Sequence, residues 1–245
     1  MSESGAAPQA PSGAREAAAG RSRSYFAWFA DAHIAVHEMA LTDQPAELFR
    51  QERAHVIRAV PRRVQEFAIG RTCARQAMAA LGYSPASILA GADRAPCWPR
   101  GLAGSVTHAA EHCAAAIVRI ADGYRAIGLD LESALPLPAE LADTVCLPAE
   151  LAWLHGQPRA DREVLARAIF SSKECAYKAQ YPLSRQMLEF HELHLALDLE
   201  RGRFLATFLR DCLPFAMGEG IAGHVRIERG LIACAVALRE TPPSL

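Results

Sequence analysis

Apolar residues recur along this chain with two different periods, and the changes between them sketch its elements. Val64, Phe67, Ala74, Met78 and Leu81 fall at i, i+3 and i+7 spacing, which sets them on one helix face. Pro61 suits a first helical turn, and Gly82 with Pro85 just beyond ends the segment. Another helix is expected over about 44–60. Between 113 and 131 the pattern becomes strand-like. Residues 114–120 are an apolar run, Asp122-Gly123 is a turn signal, and 125–131 is a second run, together a β-hairpin. The second half repeats the theme. A helix is expected over 163–180, ending before Pro182. A hairpin over 193–209 turns near Gly202, and another over 224–238 is split by Gly230. Helices and antiparallel hairpins in both halves predict an α+β chain, organised as two related subdomains.

Composition narrows the function classes. The chain has 245 residues, 51% hydrophobic and 22% charged, with a formal net charge of -1. That balance argues against nucleic acid as the main partner, because phosphate-backbone binding needs a basic excess. No apolar run reaches the roughly 20 residues of a bilayer span. Residues 1–24 are rich in Ala, Ser, Gly and Pro and lack a signal-peptide core; they read as a disordered tail, with an organelle transit peptide the less favoured alternative. Seven cysteines without a CxxC pair form neither a disulfide framework nor a zinc site, and read as reduced, mostly buried thiols in a cytoplasmic protein.

Four segments carry candidate chemistry. In Gly128-Leu129-Asp130-Leu131-Glu132, strand alternation puts Asp130 and Glu132 on one face with Gly128, and turns Ile127, Leu129 and Leu131 into a core. Two carboxylates about 7 Å apart along a strand can converge on one hard cation such as Mg²⁺; a solvated acidic face is the commoner fate of such a pair. On the third helix Leu165, Ala168, Ile169, Ala176 and Ala179 form the buried stripe, and Glu174 and Lys178 lie at i, i+4 opposite it, beside Arg167 and Ser171. They form either a surface ion pair, or a metal ligand or base beside a phosphate-binding cation. Arg71 breaks the apolar seam of the second helix. It either binds an anion or snorkels or pairs with a buried acid, and Arg75 reads as a supporting or surface residue. Finally, residues 98–108 mix turn residues with Ser105, Thr107 and His108, as a loop able to cradle phosphate or one with a buried histidine. The pairs His33/His37, His108/His112 and His191/His194 have ligand-like spacing without any HExxH, and read as chance.

In this order the segments resemble the 4′-phosphopantetheinyl transferases of the larger Sfp type, most of all the enterobactin synthase component D group. The family's WPxGxxGSxTH-like block is matched by 98–108, GxDxE by 128–132, F/W-xxKExxxK by 170–178, and an upstream EFxxGRxCAR-like segment by 66–75. Leu131 between the acids and Thr107 before the histidine are small departures. The resemblance implies two similar α+β subdomains related by a pseudo-two-fold axis, here 25–125 and 126–245, with coenzyme A in the cleft between them. Asp130, Glu132 and Glu174 would hold Mg²⁺ against the CoA pyrophosphate, with Lys178 contacting it. Arg71 and His108 would reach the 3′-phosphate, with Arg75, Arg94, Ser105 and Thr107 as weaker candidates. The implied reaction is attack by a serine of an apo-acyl or peptidyl carrier protein on the β-phosphate of CoA, releasing 3′,5′-ADP. Glu174 and Lys178 would act in catalysis, in a cytoplasmic monomer. A metal-dependent phosphohydrolase with the same carboxylates, and a noncatalytic carrier-docking module, are the alternatives.

Overall fold

The computed structural model describes residues 24–42 and 47–240; the expected N-terminal tail, apart from Ser24, lies outside the described residues. In chain order the elements are β1 (Ile34–Ala40), α1 (Pro61–Ala80), β2 (Leu89–Ala90), β3 (Pro96–Cys97), β4 (Leu102–Ala109), β5 (His112–Arg119) and β6 (Tyr124–Ser133). There follow α2 (Ala139–Val145), α3 (Pro148–His155), α4 (Arg162–Ser184), β7 (Leu193–Asp198), β8 (Arg203–Phe208), β9 (Gly220–Glu228) and β10 (Leu231–Arg239). The α+β reading holds. A three-stranded antiparallel sheet runs β1-β5-β4, a five-stranded one runs β6-β10-β9-β8-β7, and β2 pairs with β3.

Each large helix covers one sheet. Ile69, Cys73, Ala77 and Met78 of α1 are buried with Ala115 and Ile117 of β5. The stripe on α4 is buried as its spacing predicts, from Leu165 to Ala179, against Phe204, Ile232 and Cys234 of the second sheet. A third apolar layer joins the sheets: Ala114, Ala116 and Val118 of β5 share a core with Ile127, Leu129 and Leu131 of β6. The inward half of the acidic strand is therefore as its alternation predicts.

Four element expectations are corrected. The segment 113–131 contains two strands but no hairpin: β5 pairs with β1 and β4, whereas β6 pairs with β10 in the other sheet. Local turn chemistry at Asp122-Gly123 was right about the turn, while partner choice was set by burial on both faces. The helix expected over 44–60 is only a 3₁₀ turn, Arg53–Val56, within irregular chain, and 44–46 lie outside the described residues. Pro182 lies inside α4; so near the helix end it removes one i→i−4 bond, and Leu183 still docks on the core. The segment 98–108, expected as a loop, enters a full strand at Leu102 that runs to Ala109.

That last strand joins the two halves. β6 is an edge strand, and edges leave backbone N–H groups without partners. Here the N–H groups of Leu129 and Leu131 donate to the hydroxyls of Ser105 and Thr107 on β4, both at 2.9 Å. Small hydroxyl side chains thus do at the seam what a neighbouring strand's carbonyls would do within a sheet. The seven cysteines are free, and all but Cys97 are buried. No helix among the described residues is long and apolar enough to cross a membrane.

Candidate active site

The acidic face of β6 looks at α4 rather than at solvent. A Cβ on Gly128 would lie 2.3 Å from the Cys175 carbonyl oxygen, so glycine here admits the helix backbone. That close approach buries Asp130 to 4% exposure. Its Oδ2 accepts from Ser171 Oγ at 2.7 Å and its Oδ1 from Lys178 Nζ at 2.6 Å. Asp130 is therefore part of a buried ion pair, not a member of an exposed face. Lys178 keeps 29% side-chain exposure. Burial alone would lower its pKa, but Asp130 overcomes that and raises it.

Glu132 and Glu174 flank this pair. Glu132 accepts from Arg167 at 3.1 Å, and its pKa is raised by burial and then by the charge of Asp130. The Glu174 carboxyl is likewise raised by burial, with Lys178 opposing and Asp130 adding to the shift. Glu174 forms no hydrogen bond or ion pair among the described residues. Asp130 thus disfavours ionisation of both neighbouring acids, as expected where carboxylates face a common space. The described residues contain no ready-made group of three His, Cys, Asp or Glu ligands.

Two other charged residues of the motifs are structural. Lys173, next to Glu174, is 1% exposed and donates to Glu150 Oε2 at 2.8 Å and to the Val145 and Phe190 carbonyls at 2.9 Å each. Arg75 is buried and its Nη1 donates to both oxygens of Glu52 at 3.0 Å. Glu52 also accepts the Ile88 N–H at 2.9 Å. Arg75 is accordingly a supporting residue and not a surface one. Glu52 lies in the segment misread as helix, and no feature of its neighbourhood in sequence distinguished it.

Arg71 differs from both. It is 4% exposed, donates from Nε to the Ile88 carbonyl at 2.7 Å, and lies 4.2 Å over the Phe67 ring. No carboxylate among the described residues pairs with it. Burial, only partly offset by Glu52, pushes its pKa down to about 10. It neither snorkels nor pairs with a buried acid. His108 Nε2 lies 3.0 Å from Glu66 Oε2, and burial lowers the imidazole pKa despite that carboxylate.

A cleft of about 910 Å³ opens between the halves. Arg94, Trp98 and Ser105 line it from one side, and Arg125, Lys178 and Tyr181 from the other. Across it, Tyr181 donates to Asp93 Oδ2 at 2.8 Å, with Arg185 at 3.5 Å from the same oxygen. Of the residues singled out in the sequence, Arg94, Ser105 and Lys178 line the cleft; Arg71, Arg75, Thr107, His108, Asp130, Glu132 and Glu174 are not among its lining residues. The cross-cleft contact and the roles of Ser171 and Arg167 in holding the acids carried no sequence signal beyond helical adjacency.

Known proteins match the two halves separately and then together. A family described as the 4′-phosphopantetheinyl transferase N-terminal domain matches residues 51–118, and the 4′-phosphopantetheinyl transferase superfamily matches 126–220. The chain is 41% identical over 212 residues to 4′-phosphopantetheinyl transferase Svp of Streptomyces mobaraensis, covering 83% of this chain and 85% of that protein. It is 36% identical over 196 residues to 4′-phosphopantetheinyl transferase PptT of Mycobacterium tuberculosis, covering 77% and 85%. It is 37% identical over 169 residues to 4′-phosphopantetheinyl transferase Npt of Nocardia iowensis, covering 68% and 75%.

Proposed function

We infer residue roles from one premise: this chain belongs to the 4′-phosphopantetheinyl transferase superfamily, and moves the phosphopantetheine arm of coenzyme A to a carrier-protein serine. Within that superfamily we assign it to the larger Sfp type, near the enterobactin synthase component D group. We take it to be a cytoplasmic monomer of two subdomains meeting near residue 125, serving carriers of siderophore, polyketide or peptide synthesis.

The observation that carries the site assignment is the convergence of Asp130, Lys178 and the unpaired Glu174 between β6 and α4. Three carboxylates, Asp130, Glu132 and Glu174, give the hard oxygen donors that Mg²⁺ prefers; burial raises the pKa of the two glutamates, the charge of Asp130 adds to that, and a cation among them would offset both. When bound, Mg²⁺ would neutralise charge on the pyrophosphate of CoA. Asp130 and Glu132 would then exchange their contacts with Lys178 and Arg167. Lys178, freed toward the cleft it already lines, would contact a pyrophosphate oxygen. Arg71, a buried cation with no carboxylate partner among the described residues, would take the 3′-phosphate, with His108, Arg94, Ser105 and Thr107 in supporting places, while Arg75 stays with Glu52.

The carrier serine Oγ attacks the β-phosphorus, the bond to the 3′,5′-ADP oxygen breaks, and the serine proton passes to Glu174. A carboxylate with a raised pKa is the better base. The departing phosphate is a good leaving group and needs no strong acid. The test is mass spectrometry of apo-carriers incubated with the enzyme, CoA and Mg²⁺, together with kcat of Glu174→Gln across Mg²⁺ concentration. A holo-carrier mass gain and a kcat low by about 10²–10⁴-fold at saturating Mg²⁺ are expected. Full rescue by excess Mg²⁺ would leave Glu174 as a ligand only, and 3′,5′-ADP release without a carrier would turn the reading toward hydrolysis.

A further inference from the structure

A second cavity, of about 490 Å³, shares no lining residue with the cleft. It is lined by the start of β1 and by β6, β8, β9 and β10 of the five-stranded sheet. Arg203 and His224 face each other across the β8–β9 ladder. Arg226, two residues on, shares that face, and Arg239 joins them from β10. Small side chains make the room: Ala237 lines the cavity, and Ala233 and Ala235 continue the same strand inward. Trp28 and Phe29 form an aromatic wall.

The charge here is out of balance. Asp31 is the one acid among the described lining residues, and its Oδ1 is taken by the N–H groups of His33 and Ile34, both at 2.7 Å. Arg201, at the rim, has its own partner in Asp198 at 2.9 Å. Arg203 and Arg226 form no ion pair among the described residues, although Asp198, opposite Arg203 on β7, feels the charge of both Arg201 and Arg203. Arg226 instead stacks 4.9 Å from the Trp28 centroid, and Arg239 lies 4.2 Å over Tyr124 while donating to its hydroxyl. The His224 imidazole is held below its ordinary pKa by burial and then by Arg203 and Arg226, so the neighbourhood resists one more positive charge. Arg201, Arg203, Arg226 and Arg239 are exposed and outnumber the nearby acids Asp31 and Asp198, so the solvent-screened field over the cavity favours an anion without a large cost to the fold. Guanidinium forks match paired phosphate oxygens, and the volume suits a small ligand.

We propose that this cavity binds a multiply charged phosphate anion, of the pyrophosphate or nucleoside-diphosphate class, at a site separate from the transfer site. The inference rests on none of the catalytic assignments. The test is isothermal titration of the full chain with inorganic pyrophosphate and with ADP, at about 0.15 M salt so that diffuse attraction is screened. It compares wild type with Arg203→Gln/Arg226→Gln and with Arg203→Gln alone, a change at an exposed side chain outside the core. Wild type should bind, and the double variant should bind at least about tenfold more weakly, the loss of a charge-assisted contact. The variants' thermal unfolding, CoA affinity and transfer turnover should be unchanged. Tighter binding of ADP than pyrophosphate would show that the aromatic wall takes the base; equal binding would assign the site to the phosphates alone, and both outcomes support the proposal. Equal affinity in wild type and double variant would place the anion in the cleft and overturn it. So would no binding by wild type up to about 5 mM.

Discussion

Replacing Lys173 with Met separates the structural lysine of the helix motif from the functional one. The ammonium is buried to 1% exposure, with Glu150 Oε2 at 2.8 Å and two carbonyls at 2.9 Å. Glu150, equally buried at 2%, also accepts the N–H groups of Leu147 and Leu195, at 2.7 and 2.6 Å. One ion pair therefore ties α2, α3, β7 and α4 together. Methionine keeps the volume of the stem, so the loss is electrostatic and not a cavity. It strands a buried carboxylate and two carbonyls, and removing one partner of a buried pair costs about 3–5 kcal/mol. For a chain of this size each kcal/mol moves Tm by about 2–4 °C, so a fall of roughly 6–20 °C is expected. Thermal unfolding followed by circular dichroism measures it. Below its lowered Tm the variant should bind CoA like wild type and retain kcat. The double variant Glu150→Gln/Lys173→Met should recover part of the loss, because it leaves no unpaired charge. A change below about 1 kcal/mol, or strictly additive losses, would refute the argument. A kcat collapse with unchanged Tm would show that Lys173, not Lys178, meets the phosphate.

Three further outcomes follow from the same geometry. Arg71→Ala should weaken CoA binding by about 2–3 kcal/mol, or roughly 30- to 150-fold, while hardly changing 3′-dephospho-CoA; equal losses would make Arg71 structural. Ser105→Ala leaves the buried Leu129 N–H without its acceptor, and should cost about 1–3 kcal/mol in urea unfolding while speeding hydrogen exchange at that amide; unchanged exchange would show that the seam bond is dispensable. Glu174→Gln should be more stable than wild type at neutral pH without added Mg²⁺. The folded state holds the Glu174 proton more tightly than the unfolded chain does, so wild-type stability is lost as pH rises from the ordinary carboxylate range through the raised pKa. The gap should close in acid, and a gap that persists there would have another cause.

Local periodicity made the two large helices, the last two hairpins and the inward half of β6 legible, because each buries one face against one neighbour. What it could not supply was partner choice. The runs at 114–120 and 125–131 flank a good turn, yet the first belongs to the middle strand of one sheet and the second to the edge of another. The strand Leu102–Ala109 was hidden by Gly104, of low strand preference, and by the turn-favouring Ser105; the seam takes small side chains and the hydroxyl acceptors of Ser105 and Thr107. Likewise α2 and α3 are short: each buries one apolar residue, Val145 and Leu154, in the core beside α4, too few for a periodic signal.

Among Arg71, Arg75, Lys173 and Glu174 a counter-ion separates scaffold from site, whereas Asp130, Glu132 and Lys178 are paired within the site itself. Arg75 with Glu52 and Lys173 with Glu150 are buried pairs whose oxygens and protons are also taken by backbone groups. Nothing remains for a ligand, so each pair stabilises through satisfaction and costs dearly when halved. Arg71 and Glu174 are the opposite: a buried and a half-buried charge with no ion partner among the described residues, and pKa values moved toward neutrality by burial. Such groups cost stability while the ligand is absent, and recover it when a phosphate or cation arrives. The motif placed Lys173 and Lys178 five residues apart, about 140° around the helix, and so on different faces. One meets Glu150 under α3, the other Asp130 beside the cleft. Stability measurements should therefore sort the two classes without any assay of transfer. Neutralising a paired residue lowers Tm at neutral pH, whereas Glu174→Gln raises it. If Glu174→Gln instead lowers Tm as Lys173→Met does, Glu174 belongs to the scaffold, and the base must be sought elsewhere.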